Sequence, residues 1–121
     1  MIVTLKGEAK DSQWTTDEAG IYVLGPNLVN DKPYWLQDRG SNAIWHLKDD
    51  KAWVIGPQEN LGDSWAFMGS DDEVAGPQEA TNWRYDDGEN WITTSDDILV
   101  DTFDKPGAYL HNNIYTYLVC F

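Results

Sequence analysis

The clearest pattern of hydrophobic and polar positions lies between Ala43 and Gly56, where an apolar stretch, a short polar turn and a second apolar stretch follow one another without interruption. Asp49 and Asp50 have the composition of a tight hairpin loop, because turns favour short polar side chains. Folding the chain about this loop predicts a β-hairpin that pairs Ile44 with Ile55, Trp45 with Val54, His46 with Trp53 and Leu47 with Ala52. Pro57 ends the second strand, because proline cannot donate a hydrogen bond to a sheet.

Both faces of this hairpin are apolar, since successive side chains of a strand point to opposite sides. The first face carries Trp45, Leu47, Ala52 and Val54, and the second carries Ile44, His46, Trp53 and Ile55. Such a hairpin is either covered on both sides by the rest of the chain, or covered on one side with its second face kept for a ligand. Trp53 is therefore either a core residue or a ligand-binding candidate.

A more polar copy of this unit runs from Trp83 to Trp91, with an acidic turn between the two tryptophans. Asp87-Gly88 is a strong two-residue hairpin signal, because glycine accepts the positive φ that such turns need. That loop places Arg84 opposite Trp91 and predicts a cation–π contact between them. The polar composition predicts one face in the core and one face in water.

Short apolar runs separated by glycine, proline and asparagine turns occupy much of the remaining chain. They predict strands at 2–7, 20–24, 34–36, 65–68, 98–100 and, as a strand or hairpin, at 108–121. The segments 8–19 and 70–81 are polar and predict loops. No apolar pattern at helical spacing extends beyond about two turns, so helix is a minor component. The prediction is a single all-β domain over residues 1–121, an antiparallel sandwich or small barrel of short strands with two Trp-rich hairpins.

Charge narrows the class of partner. The chain has 8 basic and 21 acidic residues and a formal net charge of −13, which argues against nucleic acid and against anionic membranes as partners. The same charge suits a cationic partner, and a solvated acidic surface with no partner is the open alternative. Cys120 is the only cysteine, so an intramolecular disulfide is excluded. With no signal peptide and no transmembrane segment in the sequence, we expect a soluble chain of unspecified compartment.

A characteristic order of motifs links several of these segments: a tyrosine strand, an Asn-to-Pro turn, a tryptophan hairpin, Asn-Leu-Gly, and a second tryptophan pair. They lie at 20–22, 29–35, 43–45, 52–56, 60–62, 77 and 83–91. This order resembles an uncharacterised Trp- and Gly-rich β module that recurs in large multidomain eukaryotic proteins. The resemblance covers about two thirds of the chain and implies a non-catalytic accessory or interaction module.

Motifs for catalysis do not occur in the sequence. It contains no HExxH, CxxC, GxSxG, P-loop or GxGxxG pattern, so we expect neither an enzyme nor a bound cofactor. Calcium is left open, because it binds several carboxylate and carbonyl oxygens in flexible loops. Asp71, Asp72 and Glu73 are the candidate calcium ligands, although their spacing is not that of an EF-hand and a solvated turn is the alternative.

Tryptophan is the strongest indication of a binding function. Its ring stacks on sugar faces and also forms hot spots in protein interfaces. The ligand-binding candidates are Trp53, Arg84 with Trp91, and Trp35. The leading hypothesis is a non-catalytic interaction module that recognises a protein or peptide partner, and the alternative is a carbohydrate-binding module that uses an exposed tryptophan platform.

Overall fold

The structure is a computed structural model that describes residues 1–13, 15–93 and 97–102. Within these ranges the chain is mostly antiparallel strand with little helix, which confirms the all-β prediction. The strands are β1 Ile2–Leu5, β2 Gly20–Leu24, β3 Trp35–Gln37, β4 Asn42–His46, β5 Trp53–Pro57, β6 Met68–Ser70, β7 Trp83–Asp86, β8 Trp91–Thr93 and β9 Ile98–Asp101. A short helix, α1, spans Gly7–Asp11, and 3-10 turns lie at Thr16–Glu18, Gln58–Asn60 and Pro77–Glu79.

The strands form one sheet in the order β8-β7-β6-β5-β4-β3-β2-β1-β9. From β2 to β8 each strand pairs with the next one along the chain, and β9 returns to pair with β1, where Val3 lies opposite Val100. The sheet is curled into a half-barrel, consistent with a small barrel or a sandwich. Strands β8 and β9 are its two edges in the part of the chain that the structure describes.

The larger hydrophobic core lies on one side of the sheet, which we call the inner face. Trp53, Trp83 and Tyr22 are fully buried there, and Ala9 of α1 packs with them. The indole Nε1 of Trp53 donates to the Val74 carbonyl at 3.1 Å, so burial leaves that polar atom hydrogen-bonded. The other buried members of this core are Met1, Val3, Leu5, Ile44, Ile55, Met68, Ala80, Tyr85, Ile98 and Val100.

A smaller core covers part of the opposite side, the outer face. Tyr34 and Ala66, from segments outside the strands, pack with Trp45 and its buried neighbours of β4 and β5. Gly56 permits this cover, because a Cβ at that position would lie 2.9 Å from the Ala66 Cα. The Trp45 Nε1 donates to the Asp63 carbonyl at 3.0 Å, which holds the segment that precedes Ala66 against β4. The segments that contain Tyr34, Asp63 and Ala66, which we call the outer cover, therefore lie over the central hairpin.

The central hairpin has the predicted register. His46 pairs with Trp53 and Trp45 pairs with Val54, and the remaining predicted pair of β4 and β5 also forms. Both of its faces are buried, one in each core. Of the two alternatives for this hairpin, the structure shows the one in which the rest of the chain covers both sides.

The second hairpin forms with a register two residues away from the prediction. Arg84 lies opposite Thr93, and Asp86 lies opposite Trp91. The turn is centred one residue later than expected, on Gly88 and Glu89, because the Asp87 N–H donates to the Asn90 carbonyl at 3.0 Å. The Asp87 carboxylate also accepts hydrogen bonds from the backbone N–H groups of Glu89 and Asn90 at 2.9 and 2.8 Å. A shift of two residues leaves each side chain on its original face.

Other predicted elements agree in part. Strand β2 has the predicted bounds, whereas the predicted strand at 65–68 is wrong for most of its length because β6 begins only at Met68. The predicted loop at 8–19 contains α1 and a 3-10 turn instead of only irregular chain. The strand or hairpin predicted at 108–121 lies outside the described residues.

Candidate binding surface

A groove of about 600 Å³ opens on the outer face, beside the edge of the outer cover. We call it the outer groove. Val54, Ala66 and Gly69 supply apolar surface, and Arg84 and Trp91 supply an aromatic and cationic wall. The other described lining residues are Leu47, Asp49, Asp50, Lys51, Ala52, Ser64 and Asp71. The strands that bring these side chains together are β5 to β8, which pair in sequence order.

Arg84 and Trp91 make the predicted cation–π contact. The Arg84 Cζ lies 5.9 Å from the centroid of the Trp91 ring. Arg84 is opposite Thr93, two residues beyond Trp91, so the contact is diagonal across the β7–β8 pair. On its other side, Arg84 donates from Nη2 to the Asp71 Oδ2 at 2.7 Å. Two neighbours thus hold the guanidinium in place, while Trp91 stays 51% exposed.

The loop of the central hairpin gives the groove an acidic end. Lys51 forms an ion pair with Glu73, with 3.0 Å between Nζ and Oε2, and Arg84 forms the second described ion pair, with Asp71. Neither ion pair between described residues involves Asp49 or Asp50, although both line the groove. The positive charges that line the groove, on Lys51 and Arg84, are therefore each matched by a carboxylate.

Gly69 leaves space in the floor of the groove. A Cβ built at this position would meet only the Val54 Cγ1 at 3.5 Å and a backbone oxygen at 3.8 Å, which are ordinary contact distances. Its φ is not in the positive range that favours glycine. Neither the backbone conformation nor the packing around the Cα of Gly69 therefore requires a glycine at this position. The glycine leaves the groove wider than a larger residue would.

The remaining ligand-binding candidates lie on the other face of the sheet. Trp53 is 0% exposed, so its ring is a core element and the expectation of a ligand contact there is corrected. Trp35 lies opposite Ile44 on the inner face, half-buried, with its ring centroid 6.0 Å from that of Trp53. The structure brings Arg84 and Trp91 together and separates them from Trp35 and Trp53.

Each of the three calcium-ligand candidates binds different neighbouring residues. Asp71 binds Arg84, and Glu73 binds Lys51. Asp72 accepts hydrogen bonds from Thr81 and Asn82, which lower the pKa of its carboxyl group to about 2. Among the described residues no group of three or more His, Cys, Asp or Glu side chains is placed to hold a metal ion. These carboxylates therefore organise the loop between β6 and β7.

Two features of the surface were not foreseen as binding features in the sequence. Gly69 gives no signal of its own, because its effect depends on which residues flank it across the sheet. Trp65 is 55% exposed and packs edge-on against Phe67, with ring centroids 5.2 Å apart. The turn-forming Gly62-Asp63-Ser64 before Trp65 was the available indication that its ring lies at the surface.

Two further findings concern membrane-spanning helices and similarity to known proteins. In the described ranges, no helix combines the length and the apolar character needed to cross a membrane. The resemblance to a Trp- and Gly-rich β module remains a prediction. Comparison of the chain with protein-family models, with curated proteins and with solved structures found no match.

Proposed function

We propose that the chain is a non-catalytic interaction module whose outer groove binds a basic segment of a protein or peptide partner. One observation carries this proposal: the exposed Trp91 ring lies in a groove that ends at the carboxylates of Asp49 and Asp50. Neither carboxylate takes part in an ion pair between described residues. An aromatic anchor beside charged groups is a common composition of interface hot spots.

Shape and chemistry along the groove suit a peptide segment. Leu47, which is half-buried at the groove, can contact the aliphatic part of a side chain, and the exposed Trp91 ring offers a flat face. A lysine or arginine side chain has this mixed character, with a long apolar stem and a charged end. Its stem would lie along the floor and its charge would reach Asp49 or Asp50.

Long-range charge favours the same class of partner. The formal net charge of −13 attracts a basic segment before contact and repels an acidic one. Electrostatic attraction of this kind raises the association rate and weakens with added salt. Binding that depends on the groove should therefore be both Trp91-dependent and salt-dependent.

Glycan binding is the second candidate function, and one observation favours it. Trp91 presents an exposed ring next to Arg84 and Asp71, which are side chains that hydrogen-bond sugar hydroxyls in many sites. A neutral glycan would bind with little dependence on salt. Salt dependence therefore separates the two candidates.

The test is isothermal titration of the chain with a decapeptide rich in lysine and arginine, with the same peptide carrying glutamine at its basic positions, and with a panel of neutral oligosaccharides. We expect the basic peptide alone to bind, with Trp91→Ala weakening it about thirtyfold or more, because a truncated hot-spot residue typically costs about 2 kcal/mol or more. Raising the salt concentration should also weaken binding.

Two further variants sharpen this test. Gly69→Val adds a side chain in the floor of the groove, and its Cβ would meet Val54 at an ordinary contact distance, so it should reduce binding; its unfolding transition, measured beside it, separates loss of binding from loss of fold. Trp65→Ala removes a tryptophan of similar exposure that does not line the outer groove, so it should leave peptide affinity unchanged. Loss of peptide binding in Trp65→Ala but not in Trp91→Ala would contradict the proposal, and binding by an oligosaccharide alone would select the glycan function.

A further inference from the structure

Apolar side chains cross the outer face of the sheet at the end that contains β9, β1, β2 and β3. We call this surface the outer patch, and its members are Leu99, Ile2, Ile21, Val23 and Leu36. Their neighbours along the strands, Val100, Val3 and Tyr22, are buried in the inner core. Since successive side chains of a strand point to opposite sides, the patch residues point outwards.

Strand pairing makes the outer patch continuous. Ile2 lies opposite Ile21 across β1 and β2, and Val23 lies opposite Leu36 across β2 and β3. Leu99 is a diagonal neighbour of Ile2 across β9 and β1. Leu36 also packs against the core beneath the outer cover, so the patch continues the surface that the outer cover buries.

Water reaches much of this surface in the described part of the chain. Val23 is 54% exposed, Ile21 is 41% exposed and Leu99 is 40% exposed. None of the three belongs to either hydrophobic core of the described residues. Scattered exposed hydrophobic residues are ordinary, whereas a contiguous group indicates a surface that another segment covers.

The sequence beyond β9 supplies a segment whose composition suits the outer patch. Residues 106–121 contain no Asp, Glu, Lys or Arg, in a chain whose formal net charge is −13. Large apolar and aromatic residues make up half of this segment: Tyr109, Leu110, Ile114, Tyr115, Tyr117, Leu118, Val119 and Phe121. Apolar surface is driven out of water, so such a segment is stabilised by packing against another apolar surface.

The end of β9 lies next to the outer patch. Ile2 lies opposite both Asp101 of β9 and Ile21 of β2, and both strands run antiparallel to β1. Strand β9 therefore ends level with Ile21 and points in the direction of Val23. Neighbouring strands are about 4.8 Å apart, so β9 and β3 are separated by about 14 Å, which about five extended residues span. Residues 103–121 are long enough to reach every part of the patch.

We propose that residues 106–121 pack on the outer patch and extend the outer cover from the central hairpin to β9. The sheet is then covered on its outer face over β9, β1 and β2 as well as over β4 and β5. None of the patch residues lines the outer groove, so the proposal is independent of peptide binding there.

The test measures the reaction of Cys120, the only cysteine in the sequence, with dithionitrobenzoate in the full chain. We expect the native chain to react at least about tenfold more slowly than the chain unfolded in urea at the same pH, because a packed thiol reacts only after local opening. Val23→Asp and, separately, Ile21→Asp place a carboxylate in the apolar contact, and each should raise the native rate about tenfold. Chymotrypsin cleavage after Tyr115 and Tyr117, identified by mass spectrometry, should follow the same order of rates.

Thr93→Asp is the matched control. Thr93 is exposed on β8, at the opposite edge of the sheet, and shares the outer face with Arg84 opposite it. This variant should react at the wild-type rate, and circular dichroism verifies that each variant is folded.

Three results would overturn the proposal. The first is a native chain as reactive and as readily cleaved as the unfolded one, which would leave the outer patch uncovered. The second is protection that neither Val23→Asp nor Ile21→Asp reduces, or that Thr93→Asp reduces equally, since the segment would then pack elsewhere. The third is protection that disappears on dilution, which would assign the contact to a second copy of the chain.

Discussion

Replacing Trp53 by alanine is expected to lower the free energy of unfolding by about 3–5 kcal/mol, because truncating a fully buried aromatic side chain removes its apolar contacts and leaves a cavity. Trp53 is 0% exposed, contacts the rings of Trp35 and His46, and donates its indole N–H to Val74. The Val74 carbonyl would lose its donor as well. Urea denaturation followed by circular dichroism measures the change.

Trp91→Ala is the matched control for this prediction. Its ring is half exposed and makes a cation–π contact with Arg84, so its loss should cost less than about 1 kcal/mol. The two tryptophans occupy the start of the second strand in their respective hairpins, β5 and β8. Equal destabilisation by the two substitutions would contradict the assignment of Trp53 to the core and of Trp91 to the surface.

Glu18→Gln is expected to stabilise the fold at neutral to alkaline pH, by about 1–3 kcal/mol at about pH 8. Burial, followed by the nearby charge of Asp17, raises the pKa of the folded-state carboxyl from 4.5 to about 7. Below pH 4.5 the carboxyl is protonated in both states and costs nothing. Between about pH 4.5 and about pH 7 the Glu18 carboxyl ionises in the unfolded chain but stays protonated in the folded one, which lowers the free energy of unfolding of the wild-type chain. The stability gained from the uncharged glutamine therefore grows through this range and is fully present above it.

Denaturant titrations of both proteins at intervals between about pH 4 and pH 8 measure this difference. Glu59→Gln is the matched control, because it makes the same chemical change at an exposed carboxylate, where it should change the free energy of unfolding little. A Glu18→Gln difference that is independent of pH, or that favours the wild-type chain at high pH, would show that Glu18 is not buried as described.

The central hairpin could be predicted from the sequence in detail because both of its strands are mostly apolar and its loop is short. The position of the polar loop fixes the register, because the register of a hairpin is set by its turn and loop length. The second hairpin offers less information, since polar residues alternate through it. There the Asp87 side chain accepts backbone hydrogen bonds from Glu89 and Asn90, which favours a turn one residue later than the Asp-Gly composition indicated.

The binding surface was predicted only where local sequence determines it. Arg84 and Trp91 share a hairpin, and an error of two residues kept them on one face and in contact. Trp35 and Trp53 were separated from them by the pairing of β3 with β4 and by burial from distant segments. The same dependence on distant segments concealed the burial of Glu18, which lies in a polar stretch that the sequence predicts to be a loop.

The most direct test of a peptide site on the outer groove follows the indole N–H signals in a 15N–1H correlation spectrum while the basic decapeptide is added. The account predicts that the Trp91 signal shifts and saturates. The signals of the buried Trp45 and Trp53, whose indole N–H groups donate to the backbone carbonyls of Asp63 and Val74, should stay in place. The Trp91→Ala variant assigns the shifting signal. A Trp91 signal that stays unmoved at saturating peptide would contradict the account.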